Sequence, residues 1–424
     1  MPEWIEFVAT RFAAWLTPRR LRAQAIVLAL CLWGVCAVDF ATPGLFDRAG
    51  NIKFQDFLPL YISAQQVAQG HADRLYDQQD TAHAIQDVIH QTNDRQINVR
   101  LPNLYGPQVA LFFLPLAHFS FPVAARLWVA ISLFIFFACV YLIWKSCPAL
   151  RQHSGMVALC TLAFPPLFHF VVRAQLSALV LACFTAAFFA FRADRSWLAG
   201  AALGLLVFKP QFLVAIPLVL LLSRAWKPLA ALTLTALAQL ATARIYFGPA
   251  VMQAYFATLS HLSRIIDVVE LSLAPIQMHS LRSFWSLLLS SPRTPWPQIA
   301  FALYVLTSIF IFIIAALIWK SPAPLALRFS ALTLAAVLAN PHLFVYDLLV
   351  LAPALLLLAD WTLTHPQYPS APALQVFLYL AFVLPLFGPL SRWTHLQLSV
   401  PAFAALLWLI WRFSRDVTRN PLSS

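Results

Sequence analysis

The chain alternates between long apolar runs and short polar connections that carry most of its charge. The runs are continuously apolar rather than alternating, which is typical of buried or lipid-facing helices and not of barrel strands. A full crossing of the hydrocarbon core takes about 20 residues, and several runs reach that length. We therefore predict an all-α polytopic membrane protein with about twelve transmembrane helices. The predicted spans are 23–38, 121–144, 157–172, 176–191, 197–208, 212–222, 229–246, 299–319, 325–338, 344–358, 373–389 and 398–411.

Two longer polar segments, 41–107 and 247–298, interrupt this pattern. Within the first, residues 54–68 have the amphipathic character of a helix that lies along the membrane interface. Residues 105–119 are apolar but short and contain two prolines, which favours a re-entrant or interfacial segment over a full span. We treat 1–424 as a single transmembrane domain with these two segments as its longer loops.

The predicted spans 197–208 and 212–222 are each too short to cross a membrane unaided. Between them lies Lys209-Pro210-Gln211. Two half-length apolar segments on either side of a proline predict a helical hairpin that dips into a cavity.

Composition supports the membrane assignment, since 61% of the residues are hydrophobic and 10% are charged. The net charge of +12 is spread over short loops, so it predicts membrane orientation rather than a nucleic-acid partner. Arg19, Arg20 and Arg22 precede the first span, and a basic tail follows the last. Both termini are therefore expected in the cytoplasm of a bacterium, with the two longer loops on the periplasmic face of its inner membrane.

Five ionisable residues lie in or beside apolar runs, where charge is costly and often marks a functional cavity. They are Asp56, Arg173, Lys209, His342 and Asp347. The predicted threading collects all five on one side of the membrane. This convergence favours an enzyme over a purely structural membrane protein.

Asp56 lies in the segment Phe54-Gln55-Asp56-Phe57, which is followed by Tyr61 and by Leu75-Tyr76-Asp77. A carboxylate among aromatic and aliphatic residues near an interface is suited to act as a general base. The local pattern fits a helix-capping or ion-pairing aspartate at least as well.

Two further motifs each combine a cation with an amide two residues on: Arg173-Ala174-Gln175 and Lys209-Pro210-Gln211. Cations at a membrane surface suit a lipid phosphate. The alternative is a long side chain that ends a helix and extends toward the interface.

The segment Asn340-Pro341-His342 is followed by Tyr346-Asp347 at the start of an apolar run. His342 is a candidate hydrogen-bond partner for a phosphate or a hydroxyl. Asp347 lies about one helical turn into the membrane, so it must face the protein interior, where pairing with a lysine or arginine is the favoured interpretation.

Taken together, these motifs resemble glycosyltransferase family 87 of the GT-C superfamily, which includes polyprenyl-phosphate-mannose and polyprenyl-phosphate-arabinose transferases. The resemblance covers roughly residues 54–358 and includes Tyr105-Gly106-Pro107 and the glycine-spaced run that ends in Phe208-Lys209-Pro210-Gln211. The chain departs from the family at Ala174, where glycine is commoner. The resemblance implies a GT-C fold and a catalytic aspartate in the first outer loop, which corresponds to Asp56 here.

The predicted function is transfer of a mannose-like or pentose sugar from a polyprenyl phosphate to a lipid or glycan acceptor, with inversion and with Asp56 as the general base. No metal or cofactor is predicted, since the sequence lacks a cluster of ligand-type residues. A transporter or flippase, and a polysaccharide polymerase that uses Arg264 and Arg282, are the alternatives. The predicted substrate-binding residues are Tyr61, Tyr76, Arg173, Gln175, Lys209, Gln211 and His342.

Overall fold

The computed structural model describes residues 3–90, 101, 103–261, 277–291 and 294–419. Within these residues the regular secondary structure is helical apart from isolated bridges and one short antiparallel pair, β1 (Ser290–Ser291) and β2 (Thr294–Pro295). The prediction of an all-α polytopic membrane protein is confirmed.

The α-helices are numbered in chain order and connected in several places by short 3-10 turns. The first nine are α1 Glu3–Trp15, α2 Pro18–Ala41, α3 Leu58–Ala68, α4 Gln78–His90, α5 Gln108–Phe113, α6 Phe121–Lys145, α7 Ser154–Leu162, α8 Pro165–Arg173 and α9 Ser177–Arg192. The remainder are α10 Ser196–Gly204, α11 Ala215–Leu222, α12 Trp226–Ser260, α13 Leu281–Leu289, α14 Pro297–Lys320, α15 Leu325–Leu338, α16 Leu351–Thr364, α17 Ala371–Val383, α18 Ser391–Thr394 and α19 Ser399–Arg419.

Six helices among the described residues are long and apolar enough to cross a membrane. They are Pro18–Ala41, Phe121–Lys145, Trp226–Ser260, Pro297–Lys320, Val345–Thr364 and Ala371–Thr394. Helices α7 and α8 meet at an angle of 47° and make a seventh if they form one broken span. Several predicted spans correspond to shorter apolar helices, among them α9 and α15. The predicted count of about twelve crossings stays a prediction.

The predicted hairpin around Lys209 is present as two interrupted helices. Helix α10 continues into the 3-10 turn Leu205–Phe208, and the 3-10 turn Pro210–Leu213 leads into α11. Lys209 itself, with φ −127° and ψ 73°, is in neither helix. The backbone therefore breaks at the motif, as Pro210 requires, because proline cannot donate a helical hydrogen bond.

Helix α10 packs against α12 at very short range. A Cβ atom on Gly200 would lie 2.1 Å from the Pro228 carbonyl oxygen, and one on Gly204 would lie 2.5 Å from that of Leu232. Two small residues four positions apart let helix backbones approach each other inside a membrane. The glycine-spaced run thus fixes one arm of the Lys209 hairpin against a long helix.

An aromatic cluster fastens the first polar segment to α6. Phe57, Phe113 and Trp128 are almost fully buried. Their rings meet edge to face, with centroids 5.4 Å apart for Phe57 and Phe113 and 4.8 Å for Phe113 and Trp128. Such pairs contribute about 0.5–1.5 kcal/mol beyond the area they bury. Phe57 directly follows Asp56, so the cluster anchors the turn that carries the aspartate.

The bundle has two distinct ends. At one end, the Trp361 ring near the end of α16 contacts Phe413 near the end of α19, and Asp360 accepts hydrogen bonds from the Ala149 and Leu150 amides that follow α6. At the other end, α8 finishes and the loop of Asp56 begins. The basic residues near the chain ends lie at the end away from Asp56.

Candidate active site

Asp56 lies in a short 3-10 turn, Gln55–Phe57, whose last residue belongs to the aromatic cluster. Phe54, which precedes the 3-10 turn Gln55–Phe57, has a left-handed backbone with φ 58°. Its amide donates to the Val172 carbonyl over 3.3 Å, and its ring stacks on Phe40 at 5.1 Å. Phe57 is fully buried on the other side of Asp56. The aspartate is thereby held between two anchored aromatic residues.

The Arg173-Ala174-Gln175 motif is the turn that ends α8 beside this loop. Ala174 has φ 54° and ψ 47°, a left-handed conformation that glycine adopts most easily at a helix C-terminus. Its carbonyl accepts a hydrogen bond of 3.0 Å from the Trp128 indole. This geometry explains why glycine is favoured here, and it turns both neighbours of Ala174 toward Asp56.

The two carboxylate oxygens of Asp56 have different partners. The Gln175 amide Nε2 lies 3.2 Å from Oδ2, and the Arg173 Nη1 lies 3.8 Å from Oδ1. The Asp56 side chain is 19% exposed and that of Arg173 is 30% exposed. Arg173 also donates to the Gln55 side chain at 2.9 Å. One side of the carboxylate is therefore fixed by the protein while part of it stays accessible.

The orientation of the buried Gln175 amide follows from its hydrogen bonds. Its Oε1 accepts from the Tyr105 hydroxyl at 3.1 Å and from the Leu176 amide at 2.9 Å. Its Nε2 therefore faces Asp56 and also donates to the Tyr346 hydroxyl at 3.3 Å. Burial, together with the nearby Asp56, raises the pKa of Tyr105, so this phenol keeps the proton that it donates.

Tyr105 is in turn fixed from the first polar segment. The Tyr76 hydroxyl donates to the Tyr105 carbonyl at 2.8 Å. The Asn103 side chain accepts from the Tyr105 amide at 3.2 Å and donates to the Leu75 carbonyl at 3.2 Å. The predicted residue Tyr76 thus reaches the site through Tyr105 and Gln175 rather than by contact with Asp56.

Lys209 lies in a buried polar cluster at the break of its hairpin. Its Nζ is 2.5 Å from the Asp347 Oδ1, and the two side chains are 3% and 2% exposed. The Ser177 hydroxyl donates to the same oxygen at 2.8 Å, and the Lys209 Nζ lies 5.4 Å from the Tyr346 ring centroid. The pairing expected for Asp347 is confirmed. Lys209 already has a carboxylate counter-charge, which differs from the phosphate contact that the sequence predicts.

Three predicted substrate-binding residues remain, Tyr61, Gln211 and His342. Tyr61 is buried and donates to the Phe119 carbonyl at 2.8 Å, while its oxygen accepts from Gln65. Gln211 is half-buried in the 3-10 turn after Lys209. His342 is half-buried, and its ring meets that of Phe344 edge to face at 4.7 Å. The two hydrogen bonds of Tyr61 do not involve Asp56, although its ring lies 6.4 Å from that of Phe57.

The second polar segment reaches the site through the strand-like residues around His342. Met278 forms an antiparallel bridge with Phe344, and the Arg282 Nη1 donates to the Pro341 carbonyl at 3.2 Å. The Phe344 ring lies 5.3 Å from Tyr346, which links this segment to Gln175. Arg264, the other arginine considered for a polymerase, lies outside the described residues.

Tyr105, Tyr346 and Ser177 belong to the network although sequence reasoning did not select them as site residues. Tyr105 and Tyr346 are within the motifs that carry the family resemblance, and that position is the sequence signal that points to them as site residues. Among the described residues, no three side chains of metal-binding type lie together. The prediction of a site without a metal stays a prediction.

Similarity to known proteins extends over the middle of the chain. The family model described as "Glycosyltransferase family 87" matches residues 103–345, which is more than half of the chain and includes Arg173, Gln175 and Lys209. No curated protein and no solved structure matches. Asp56 precedes the matched region. The match agrees with the resemblance found from the motifs, and the chain belongs to glycosyltransferase family 87.

Proposed function

We propose that this membrane glycosyltransferase takes its sugar from a polyprenyl phosphate and transfers it to a hydroxyl group of a lipid or glycan. The observation that carries the proposal is the partly open Asp56 carboxylate, held by Gln175 and adjacent to the Arg173 guanidinium. A fixed base beside an accessible cation is the arrangement that such a transfer requires.

In the proposed reaction the acceptor hydroxyl gives its proton to Asp56. The acceptor oxygen attacks the anomeric carbon from the face opposite the phosphate, and the bond from that carbon to the phosphate oxygen breaks. The phosphate oxygen keeps the electron pair, and the polyprenyl phosphate leaves. The sugar therefore inverts its anomeric configuration.

Arg173 is the candidate for stabilising charge on the leaving phosphate, because its guanidinium is partly exposed and lies at the carboxylate. His342 and Gln211 are retained as candidates for donor contact, since both are half-buried on segments that meet the network. Tyr61 stays a candidate on the sequence alone.

Lys209 receives a different role from the one that its sequence suggests. Its contact with Asp347 makes it a positioning residue that fixes the segment bearing Tyr346. The Tyr346 hydroxyl in turn holds the Gln175 amide. Tyr76 acts in the same indirect way through Tyr105.

The membrane arrangement belongs to the same proposal. The Asp56 end of the bundle faces the periplasm of a bacterial inner membrane, both termini are cytoplasmic, and the segments 41–107 and 247–298 are the periplasmic loops. The basic residues at the opposite end support this orientation, since positive charge concentrates on cytoplasmic loops.

The direct test is a transfer assay on the purified protein in lipid nanodiscs. Radiolabelled polyprenyl-phosphate sugars, both hexose and pentose, are compared with the corresponding nucleotide sugars. We expect transfer from a polyprenyl-phosphate sugar with release of polyprenyl phosphate. Transfer from nucleotide sugars alone would contradict the proposed donor.

A further inference from the structure

A cavity of about 690 Å³ lies at the end of the bundle away from Asp56. It is lined by α2, α6, α7, α16 and α17, and it opens between the first residues of α2 and the turn before α7. Its volume lies within the range of about 300–1,000 Å³ that is usual for small-molecule sites. The catalytic network does not use it.

The inner part of the cavity is apolar. Phe136, Phe164, Leu355 and Phe382 line it at mid-depth. Water would find few hydrogen-bond partners among these side chains, whereas a hydrocarbon chain would gain from leaving water. The cavity is separated from the Asp56 network by fully buried residues such as Leu167 and Leu349.

The mouth of the cavity is polar and positively charged. Arg22 and His153 line it together with Gln152, and within the described ranges the lining contains no aspartate or glutamate. Arg22 is exposed and forms no ion pair with any described residue. The nearby Asp360 carboxylate is turned to the Ala149 and Leu150 amides.

We propose that this cavity binds one anionic phospholipid from the leaflet at which the chain ends lie, with an acyl chain between α6 and α16 and the phosphate at Arg22. An apolar interior beneath a basic mouth matches the two halves of such a lipid. Basic pockets between transmembrane helices on the cytoplasmic side are known to take anionic headgroups. The proposal is independent of the reaction at Asp56.

The proposal is tested by reconstituting the full chain with equal amounts of phosphatidylglycerol and phosphatidylcholine and then measuring retained lipid by native mass spectrometry. We expect one retained phosphatidylglycerol per chain. Arg22→Gln should lower its retention about fivefold, the worth of one arginine at an anionic surface. Arg19→Gln, an exposed arginine on the same helix that does not line the cavity, is the matched control.

A second variant separates cavity occupancy from surface charge. Gly155 lines the cavity beside its mouth, and a Cβ atom at this position would meet open space, so Gly155→Phe should obstruct the mouth and sharply lower retention while the protein stays folded. Gly34→Phe, at another open glycine outside the cavity, should have no effect. Equal retention of both lipids, or unchanged retention in Arg22→Gln and Gly155→Phe, would overturn the proposal. Added polyprenyl phosphate replacing phosphatidylglycerol at this site would also overturn it.

Discussion

Asp56 shares its two carboxylate oxygens between a buried amide and a partly exposed guanidinium. The amide is oriented by two donors to its own oxygen, so it offers a hydrogen to Asp56 without having to reorganise. The Arg173 guanidinium is more exposed to solvent and is held by fewer contacts. At the scale of single residues, the site is thus rigid on the Gln175 side and accessible on the Arg173 side.

The first prediction concerns the rigid side. Gln175→Leu removes the hydrogen bond to Asp56 and leaves the Tyr105 and Tyr346 hydroxyls without their amide partner. A hydrogen bond to a charged group contributes about 1.5–3 kcal/mol, so kcat should fall roughly 10–100-fold while the KM for donor changes little. Steady-state transfer kinetics measure this. The control is Gln239→Leu, whose amide contacts the Gly204 carbonyl instead. An unchanged kcat in Gln175→Leu would show that the Gln175 amide does not contribute to the reaction.

Ala174 gives a second prediction at this scale. Ala174→Gly relieves a left-handed conformation that costs roughly 1–2 kcal/mol but loses a buried methyl group worth about 0.8 kcal/mol, so stability should change little. Ala174→Val should clearly lower the stability of the protein, because a β-branched side chain strains this left-handed conformation further. Thermal unfolding of the purified variants measures both. A valine variant as stable as the parent would refute the role of this turn.

The sequence predicts single residues of this site better than their partners. Asp56, Arg173 and Gln175 stand out because they are polar within apolar surroundings, and the structure brings them together. Tyr105 and Tyr346 do not stand out, since tyrosines are common in membrane proteins near the interface. Their place in the network depends on contacts across 70 and 171 residues of chain, which no local pattern encodes.

At the scale of elements, the Lys209 hairpin and the 3-10 turn Val345–Val350 are joined by one buried ion pair. Each element interrupts helical geometry where its charged residue lies. The pairing satisfies two charges that would otherwise be isolated in an apolar bundle. The sequence predicts the break in the helix and the need of Asp347 for a positively charged partner. It does not predict which lysine or arginine that partner is.

A double-mutant cycle tests this pair. Lys209→Met and Asp347→Leu should each destabilise the protein by about 3–5 kcal/mol, because each leaves an unpaired buried charge. The double variant should recover much of that loss. Unfolding free energies in detergent give the coupling. Additive losses would show that the two groups do not depend on each other.

The same double variant separates the two roles considered for Lys209. A positioning residue should leave partial transfer activity once stability is restored, with an unchanged KM for donor. A direct phosphate ligand should leave a folded protein with a sharply raised KM for donor. The second result would show that Lys209 binds the donor phosphate, as the sequence analysis predicts.

At the scale of the whole molecule, the Asp56 network lies at one end of the bundle, and the described basic residues at the start of α2 and near the end of α19 lie at the other. Charge along the sequence is sufficient to predict this polarity. The number of crossings is harder to predict, because helices such as α10 and α11 owe their position to packing rather than to length. The approach of Gly200 to Pro228 is one such contact, and hydropathy carries no information about it.

The predicted orientation is checked by cysteine labelling in intact spheroplasts with an impermeant maleimide. His71→Cys, exposed near the Asp56 end, should react, and Gln152→Cys, exposed at the other end, should react only after lysis. A Cys31→Ala background removes the exposed native thiol. Reaction of Gln152→Cys in intact spheroplasts, with His71→Cys protected, would invert the proposed orientation.

The most direct measurement is the transfer rate of Asp56→Asn. The substitution keeps the size of the side chain and removes the base, so transfer should fall roughly 10²–10⁴-fold while folding and donor binding persist. The control is Asp77→Asn, an exposed aspartate that accepts from the Gln79 and Asp80 amides and should keep most activity. Near-normal transfer by a folded Asp56→Asn protein would contradict the account.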